Sequence, residues 1–117
     1  MVKWDKQKIA MDFDDTFTLA PDVWSRVIDT LILDGNFDVC FVTFRFQNGP
    51  NEDINFWAER LDIPVIYTEG RQKAEVCAKL GWIPDVWIDD MPILIPVKQQ
   101  LQAMIIGIER NEEKQDG

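Results

Sequence analysis

Four short apolar runs divide the chain, and longer stretches with a helical spacing of apolar residues lie between them. The runs are residues 9–11, 39–42, 65–67 and 86–88. They lack the apolar–polar alternation of a half-exposed strand, so they are typical of a parallel sheet that is covered on both faces. The pattern therefore predicts a βαβαβαβ alternation.

Helix boundaries carry signals of their own. Pro21 is favoured in the first turn of a helix, and Gly35 and Gly81 are typical residues just beyond a helix end. Asn51 is placed to cap the helix that follows it. The first predicted helix starts at Pro21-Asp22 and stops at Gly35-Asn36, and the others are residues 52–61, 71–80 and 98–110. Apolar residues fall on one face of the first and the last.

The order of the strands decides which strand ends meet. An order of 3-2-1-4 places the first and fourth strands side by side, with a crevice at their carboxyl ends. We therefore expect one α/β domain over residues 1–117, a three-layer Rossmann-like parallel sheet with helices on both faces. Residues 93–95 resemble a strand, but Pro92 and Pro96 exclude them from the sheet interior, which leaves a fifth, edge strand or an irregular crossing. The charged residues 111–117 are predicted to form a frayed tail.

Composition narrows the classes of function. The 117 residues include 12 basic and 21 acidic side chains, for a net charge of −9. General nucleic-acid binding is therefore not expected, because it needs a basic face. The sequence has no histidine, so acid–base chemistry falls to carboxylates, lysine or water.

Cysteine content and apolar run length bear on location. Cys40 and Cys77 lie in apolar surroundings and are predicted to be core residues in a reducing compartment. The sequence shows no signal-peptide pattern and no apolar stretch of membrane length. We therefore expect a cytoplasmic protein with no membrane partner.

The first apolar run ends in acidic residues, and so does the fourth. Asp12, Asp14 and Asp15 follow the first run, and Asp89 and Asp90 follow the fourth. Since the first and fourth strands are predicted neighbours, these carboxylates would meet at one edge of the sheet. Crowded, partly buried carboxylates repel one another unless a positive charge compensates them. The pattern therefore predicts a metal site.

Polar residues suited to phosphate chemistry follow the other strands. Thr43 and Arg45 come after the second run, and Lys73 lies near the start of the helix after the third. A hydroxyl can donate to a phosphoryl oxygen, and a cation offsets its negative charge. Arg71 lies close to Lys73 and is an alternative for the same role.

The run Asp12-Phe13-Asp14-Asp15-Thr16 after an apolar strand resembles the DxDxT signature of haloacid dehalogenase-like (HAD) phosphatases. Further motifs of that family have counterparts in the same order, namely Thr43, Lys73 and the pair Asp89-Asp90. The resemblance therefore spans most of the chain, from residue 9 to residue 90. One departure is Asp15, since glycine is common at this place in the family.

The resemblance implies a magnesium-dependent phosphatase. The first Asp of the signature, here Asp12, is the nucleophile in that family and would form an aspartyl-phosphate. Asp14 would act as general acid and base and would bind Mg²⁺ through its backbone carbonyl. Asp12 itself, with Asp89 and Asp90, would complete the protein ligands to the metal, and which of Asp89 and Asp90 binds it directly is left open.

The remaining motifs are assigned to the phosphate group. Thr43 would donate a hydrogen bond to a phosphoryl oxygen, and Lys73 would offset negative charge and orient Asp12. Thr16 and Arg45 are predicted to bind substrate.

No cap domain is expected. Residues 16–21 are too few to form one, and residues 43–73 are filled by one helix and one strand. The open site of a capless core would suit a small phosphate ester or a phosphorylated end of a macromolecule. A lid supplied by a second subunit would make the protein a homo-oligomer.

Two other functions remain open. A receiver-like signalling domain also places an acidic pair after its first strand and accepts phosphate on an Asp beside Mg²⁺. In receivers that Asp follows the third strand, where this chain has Tyr67-Thr68-Glu69. The third hypothesis is a HAD-like binding scaffold without turnover.

Overall fold

The computed structural model describes residues 5–95. Its strands are β1 (Gln7–Met11), β2 (Phe37–Thr43), β3 (Val65–Tyr67) and β4 (Val86–Ile88). Its α-helices are α1 (Pro21–Asp34), α2 (Glu52–Leu61) and α3 (Lys73–Lys79), and 3-10 helices cover Phe17–Leu19 and Pro92–Leu94. The predicted final helix, residues 98–110, and the predicted tail, residues 111–117, lie outside the described residues.

The sheet has the predicted strand order. Within residues 5–95 the strands pair in parallel in the order β3-β2-β1-β4. Met11 at the end of β1 lies opposite Phe41 of β2 and Ile88 of β4. The amide of Asp12 continues this pairing by donating to the carbonyl of Ile88 at 2.9 Å. The residues that follow β1 and β4 are therefore neighbours at one edge of the sheet.

The two faces of the sheet carry different parts of the core. One buried cluster packs the strands against α1 and α2. Its members include Ile9, Met11, Phe41, Ile28 and Ile54. A smaller cluster on the other face joins Ala10 and Cys40 to Cys77 of α3. Because successive strand side chains point to opposite faces, the alternation of Ile9, Ala10 and Met11 confirms that helices cover both faces.

Of the edge strand and the irregular crossing predicted for residues 93–95, the structure shows the irregular alternative. Residues 93–95 are not paired with the sheet. Pro92–Leu94 forms a 3-10 helix instead, and the amide of Ile95 donates to the carbonyl of Pro92 at 3.0 Å. The fixed φ angle of Pro92 suits the first turn of a helix, which favours this outcome.

Asn51 occupies the predicted N-cap position of α2, but its side chain makes no capping hydrogen bond. The side-chain amide donates instead to the carbonyls of Phe46 and Gln47, at 2.8 and 3.2 Å. Asn51 thereby closes the loop ahead of the helix. In the first turn of α2, the carboxylate of Asp53 accepts a hydrogen bond from the amide of Ile54 at 2.8 Å.

Helix α3 begins two residues later than the sequence pattern predicts. The side chain of Gln72 caps the helix by accepting from the amide of Glu75 at 3.1 Å. Lys73 is therefore the first helical residue, and Arg71 lies in the preceding turn.

Cys40 and Cys77 are buried free thiols, as predicted for core residues. Burial raises the pKa of the Cys40 thiol to about 12 and that of the Cys77 thiol to about 11. Both thiols are therefore protonated near neutral pH. Over residues 5–95, none of the helices combines the length and the apolar character needed to cross a bilayer.

Candidate functional site

The candidate site lies at the carboxyl edge of the sheet, where β1 and β4 end. Asp12 follows β1 directly, and Asp89 and Asp90 follow β4. Asp12 is buried, with 6% of its surface exposed, whereas Asp90 is exposed. The parallel pairing of β1 with β4 thus places carboxylates from two distant parts of the sequence beside each other.

Lys73 links the two strand ends. Its ammonium group donates to Oδ1 of Asp12 and to Oδ2 of Asp89, each at 2.7 Å. All three side chains are buried, so these charge-assisted hydrogen bonds are shielded from water. Lys73 also lies 4.8 Å from the centre of the Phe44 ring, in a cation–π contact. The orientation of the Asp12 carboxylate is therefore fixed by a charge on α3.

The second oxygen of Asp12 has a partner from the turn after β1. The hydroxyl of Thr16 donates to Oδ2 of Asp12 at 3.0 Å. This turn places Asp15 in the left-handed region, with φ at 61°. Glycine adopts that conformation most easily and aspartate tolerates it, which explains how Asp15 can stand where glycine is common in HAD phosphatases.

The surroundings of Asp12 disfavour its negative charge. Burial raises the pKa of the Asp12 carboxyl from 3.8 to about 6. The nearby carboxyl groups of Asp90 and Asp89 add to this rise in pKa, and Lys73 opposes it. The anionic form of Asp12 would therefore be stabilised by a further cation.

Asp12, Asp89 and Asp90 form a candidate cation site. One carboxylate oxygen from each residue lies within 4.8 Å of the others. Lys73 balances one of the three negative charges, which leaves two for a divalent cation to neutralise. Carboxylate oxygens are hard ligands that suit Mg²⁺, with waters completing its octahedral shell. The donor set therefore fits the predicted metal.

The side chain of Asp14 belongs to a second cluster beside the first. Arg45 donates from Nε and Nη2 to the two carboxylate oxygens of Asp14, at 3.0 and 2.7 Å. Arg45 also donates from Nη1 and Nη2 to the two carboxylate oxygens of Asp53, at 2.6 and 2.9 Å. Hydrogen bonds to Asp53 and Asp14 raise the pKa of Arg45. The bonds that Asp53 accepts from Arg45 lower the pKa of Asp53. The guanidinium carbon lies 5.2 Å from the centre of the Phe13 ring.

Thr43 ends β2 and is 1% exposed. Its hydroxyl oxygen accepts a hydrogen bond from the amide of Arg45 at 3.2 Å. Its carbonyl accepts from the amide and the hydroxyl of Thr68, at 2.8 and 3.1 Å, which fixes the end of β2 beside the turn after β3. Because Oγ1 of Thr43 is the acceptor in its bond with Arg45, the hydroxyl hydrogen of Thr43 takes no part in that bond and can donate to another group.

No protein-family model, curated protein or solved structure matches this chain. The resemblance to HAD phosphatases therefore stays a prediction from the motifs. The functional assignment depends on the residues of this chain and on their geometry.

The structure brings most of the predicted site residues together. One connected cluster contains Asp12, Thr16, Lys73, Asp89 and Asp90. The Asp14 side chain lies outside this carboxylate group and pairs with Arg45. Of the two cations that the sequence leaves open for orienting Asp12, Lys73 makes the contact, whereas Arg71 is exposed.

Sequence reasoning missed Asp53. An acidic residue in the first turn of a helix is ordinarily explained by the helix dipole, and Asp53 has that position in α2. In the structure it also binds Arg45 through both carboxylate oxygens. The available signal was an arginine after β2 followed by an unusually acidic helix start, Glu52-Asp53.

Proposed function

We propose that the protein is a magnesium-dependent, HAD-like phosphatase that hydrolyses a phosphate monoester through an aspartyl-phosphate on Asp12. One observation carries the proposal. The buried Asp12 carboxylate is oriented by Lys73 and Thr16, and it lies within a group of carboxylates that fits a divalent cation. Orientation and partial desolvation are what a carboxylate nucleophile needs.

Charge is the main obstacle to the reaction, since a carboxylate and a phosphate dianion repel each other. The carboxylates of Asp12, Asp89 and Asp90, with the carbonyl of Asp14, would hold Mg²⁺. When bound, the metal supplies positive charge to the nucleophile and to the phosphoryl oxygens. Lys73 adds a fixed positive charge beside Asp12.

The chain's own residues perform two transfers. In the first, a carboxylate oxygen of Asp12 attacks phosphorus and the bond to the leaving oxygen breaks. Asp14 enters this transfer as the carboxylic acid, gives its proton to the leaving oxygen and is left as the carboxylate. In the second, water attacks the aspartyl-phosphate, Asp14 takes the water proton, and the bond to Asp12 breaks to release inorganic phosphate. The Thr43 hydroxyl would donate to a phosphoryl oxygen throughout.

The spacing of elements supports a capless core with an open site. In the described chain, the 3-10 helix Phe17–Leu19 fills the connection from β1 to α1. The connection from β2 to α3 contains α2 and β3. Such a site would accept a small phosphate ester or a phosphorylated macromolecular end. A lid contributed by a second copy is compatible with it, and we place the activity in the cytoplasm.

Hydrolysis of p-nitrophenyl phosphate, with and without Mg²⁺, tests the proposal. We expect sustained turnover by the wild type that needs Mg²⁺, and a loss of at least about 10³-fold in Asp12→Asn. Asp29→Asn is the matched control, since Asp29 is an exposed aspartate on α1. It should retain full activity.

The other outcomes identify the competing functions. A single stoichiometric phosphorylation without turnover would indicate a receiver-like module. If neither p-nitrophenyl phosphate nor a panel of nucleotides, phosphosugars and phosphorylated oligonucleotides reacts, the scaffold hypothesis is favoured. Turnover that persists in Asp12→Asn would contradict the proposed nucleophile.

A further inference from the structure

Arg45 is engaged by two carboxylates at once. Within the described residues it donates four hydrogen bonds, two to Asp14 and two to Asp53, at 2.6–3.0 Å. A guanidinium group has five N–H donors, so most of its capacity is used. Its side chain is 23% exposed, and its guanidinium lies beside the ring of Phe13. Arg45 therefore has little freedom to turn towards a substrate.

These contacts connect three separate segments. Asp14 lies in the turn after β1, Arg45 follows β2, and Asp53 lies in the first turn of α2. Asp53 is itself fixed, because one of its oxygens accepts from the amide of Ile54 at 2.8 Å. The Asp14 side chain is 48% exposed and would otherwise be free to rotate into solvent. Arg45 anchors it to the end of a helix.

We propose that Arg45 and Asp53 are positioning residues that hold the Asp14 carboxyl group in a fixed orientation. This inference rests on the proposed function and replaces the predicted role of Arg45 in substrate binding. Asp53 provides Arg45 with a second negative partner. The pairing therefore orients Asp14 without making Asp14 the sole counterion of the arginine.

The role follows from the chemistry of the first transfer. In its carboxylic acid form, Asp14 can keep one oxygen as the acceptor of Arg45 and carry the proton on the other. As the phosphorus–oxygen bond breaks, a poor leaving group needs that proton, whereas a stable leaving group such as nitrophenolate does not. A displaced Asp14 therefore slows substrates with poor leaving groups selectively. A general loss of structure, or a loss of phosphate binding, would affect both kinds of substrate alike.

The inference can be tested with two substrates of similar size that differ in their leaving group. We compare kcat/KM for p-nitrophenyl phosphate and for benzyl phosphate, whose alkoxide is a poor leaving group, in saturating Mg²⁺. Asp53→Asn should lower kcat/KM for benzyl phosphate about tenfold and change that for p-nitrophenyl phosphate less than twofold. Asp53→Glu, which keeps the charge, should recover most of the loss. Glu52→Gln in the same helical turn is the matched control and should change neither substrate.

Arg45→Lys gives an independent comparison, because lysine keeps the charge but lacks the planar fork. We expect the same selective loss. The inference would be overturned by an equal loss of kcat/KM for both substrates, by an increase in KM for both, or by no loss in either variant. It would also be overturned if the wild type hydrolysed only p-nitrophenyl phosphate. Asp12→Asn, measured in the same assay, tests the proposed function separately. It should abolish turnover of both substrates, and this expectation does not depend on the role of Asp53.

Discussion

The ammonium of Lys73 lies 2.7 Å from a carboxylate oxygen of Asp12, although 61 residues separate them along the chain. The same ammonium lies 2.7 Å from Asp89. One buried lysine is therefore the shared hydrogen-bond donor to two buried carboxylates at adjacent strand ends. Removing one partner of such a group leaves uncompensated charge in a medium that solvates it poorly.

Lys73→Met tests this dependence on a single cation. We expect the free energy of unfolding of the metal-free protein to fall by about 3 kcal/mol at pH 8, measured by urea denaturation. The cost has a ceiling, because Asp12 can take up a proton instead of remaining charged. Lys79→Met removes an exposed lysine from the same helix and should cost less than about 0.5 kcal/mol. Equal effects of the two substitutions would show that the buried ion pairs contribute little.

The raised pKa of Asp12 predicts a pH dependence of stability. The folded carboxyl has a pKa of about 6, against 3.8 when unperturbed. Between pH 4 and 6 the folded metal-free protein therefore holds a proton on Asp12 that the unfolded chain has released. The contribution of this proton to the free energy of unfolding is fully present below pH 4 and is lost as pH rises through 6. The loss corresponds to about 3 kcal/mol.

Asp12→Asn isolates this contribution, because asparagine does not titrate. The stability of the variant relative to wild type should rise between pH 4 and 6, without metal, and then level off. Urea denaturation at half-unit pH steps measures the difference, and Asp29→Asn provides the reference for an exposed aspartate. A difference that is flat with pH would mean that Asp12 titrates normally.

Mg²⁺ binding should stabilise the fold through the carboxylates of Asp12, Asp89 and Asp90. At a free concentration 100 times the Kd, a ligand specific for the folded state adds about 2.7 kcal/mol. We expect Asp90→Asn to remove most of the Mg²⁺-dependent rise in Tm while leaving the metal-free Tm close to wild type, since Asp90 is exposed. Asp89→Asn should lower both, because Asp89 also binds Lys73. An undiminished Mg²⁺ effect in both variants would place the ion elsewhere.

The left-handed backbone at Asp15 predicts a stabilising substitution. Glycine adopts a φ of 61° without steric cost, so Asp15→Gly should raise the free energy of unfolding by about 0.5 kcal/mol. Asp15→Val should lower it by about 1–2 kcal/mol, because a β-branched residue is strained in this region. Thermal denaturation of both variants, without metal, gives the comparison. A valine variant as stable as wild type would show that the turn changes conformation easily.

The periodicity of apolar residues and the positions of Pro and Gly were sufficient to predict most of the fold. Strand β3 and strand β4 have the bounds that the apolar runs predict, because short buried strands are marked by local composition. For residues 93–95 the sequence allowed an edge strand or an irregular crossing, because three apolar residues suit both, and the fixed φ of Pro92 favoured a 3-10 turn. The N-cap position of Asn51 was predicted but the use of its side chain was not, because a side chain suited to a helix cap can equally bind loop carbonyls.

The sequence by itself determined the parallel sheet and the strand ends at which the acidic side chains and Thr43 would lie. Those features follow from periodicity and from the topology of parallel strands, which are local or nearly local properties. Only the tertiary structure decided that Lys73 rather than Arg71 contacts Asp12, and that Arg45 and Asp53 fix Asp14. Such pairings depend on distances of a few ångströms between side chains on different elements, and packing of the helices against the sheet sets those distances.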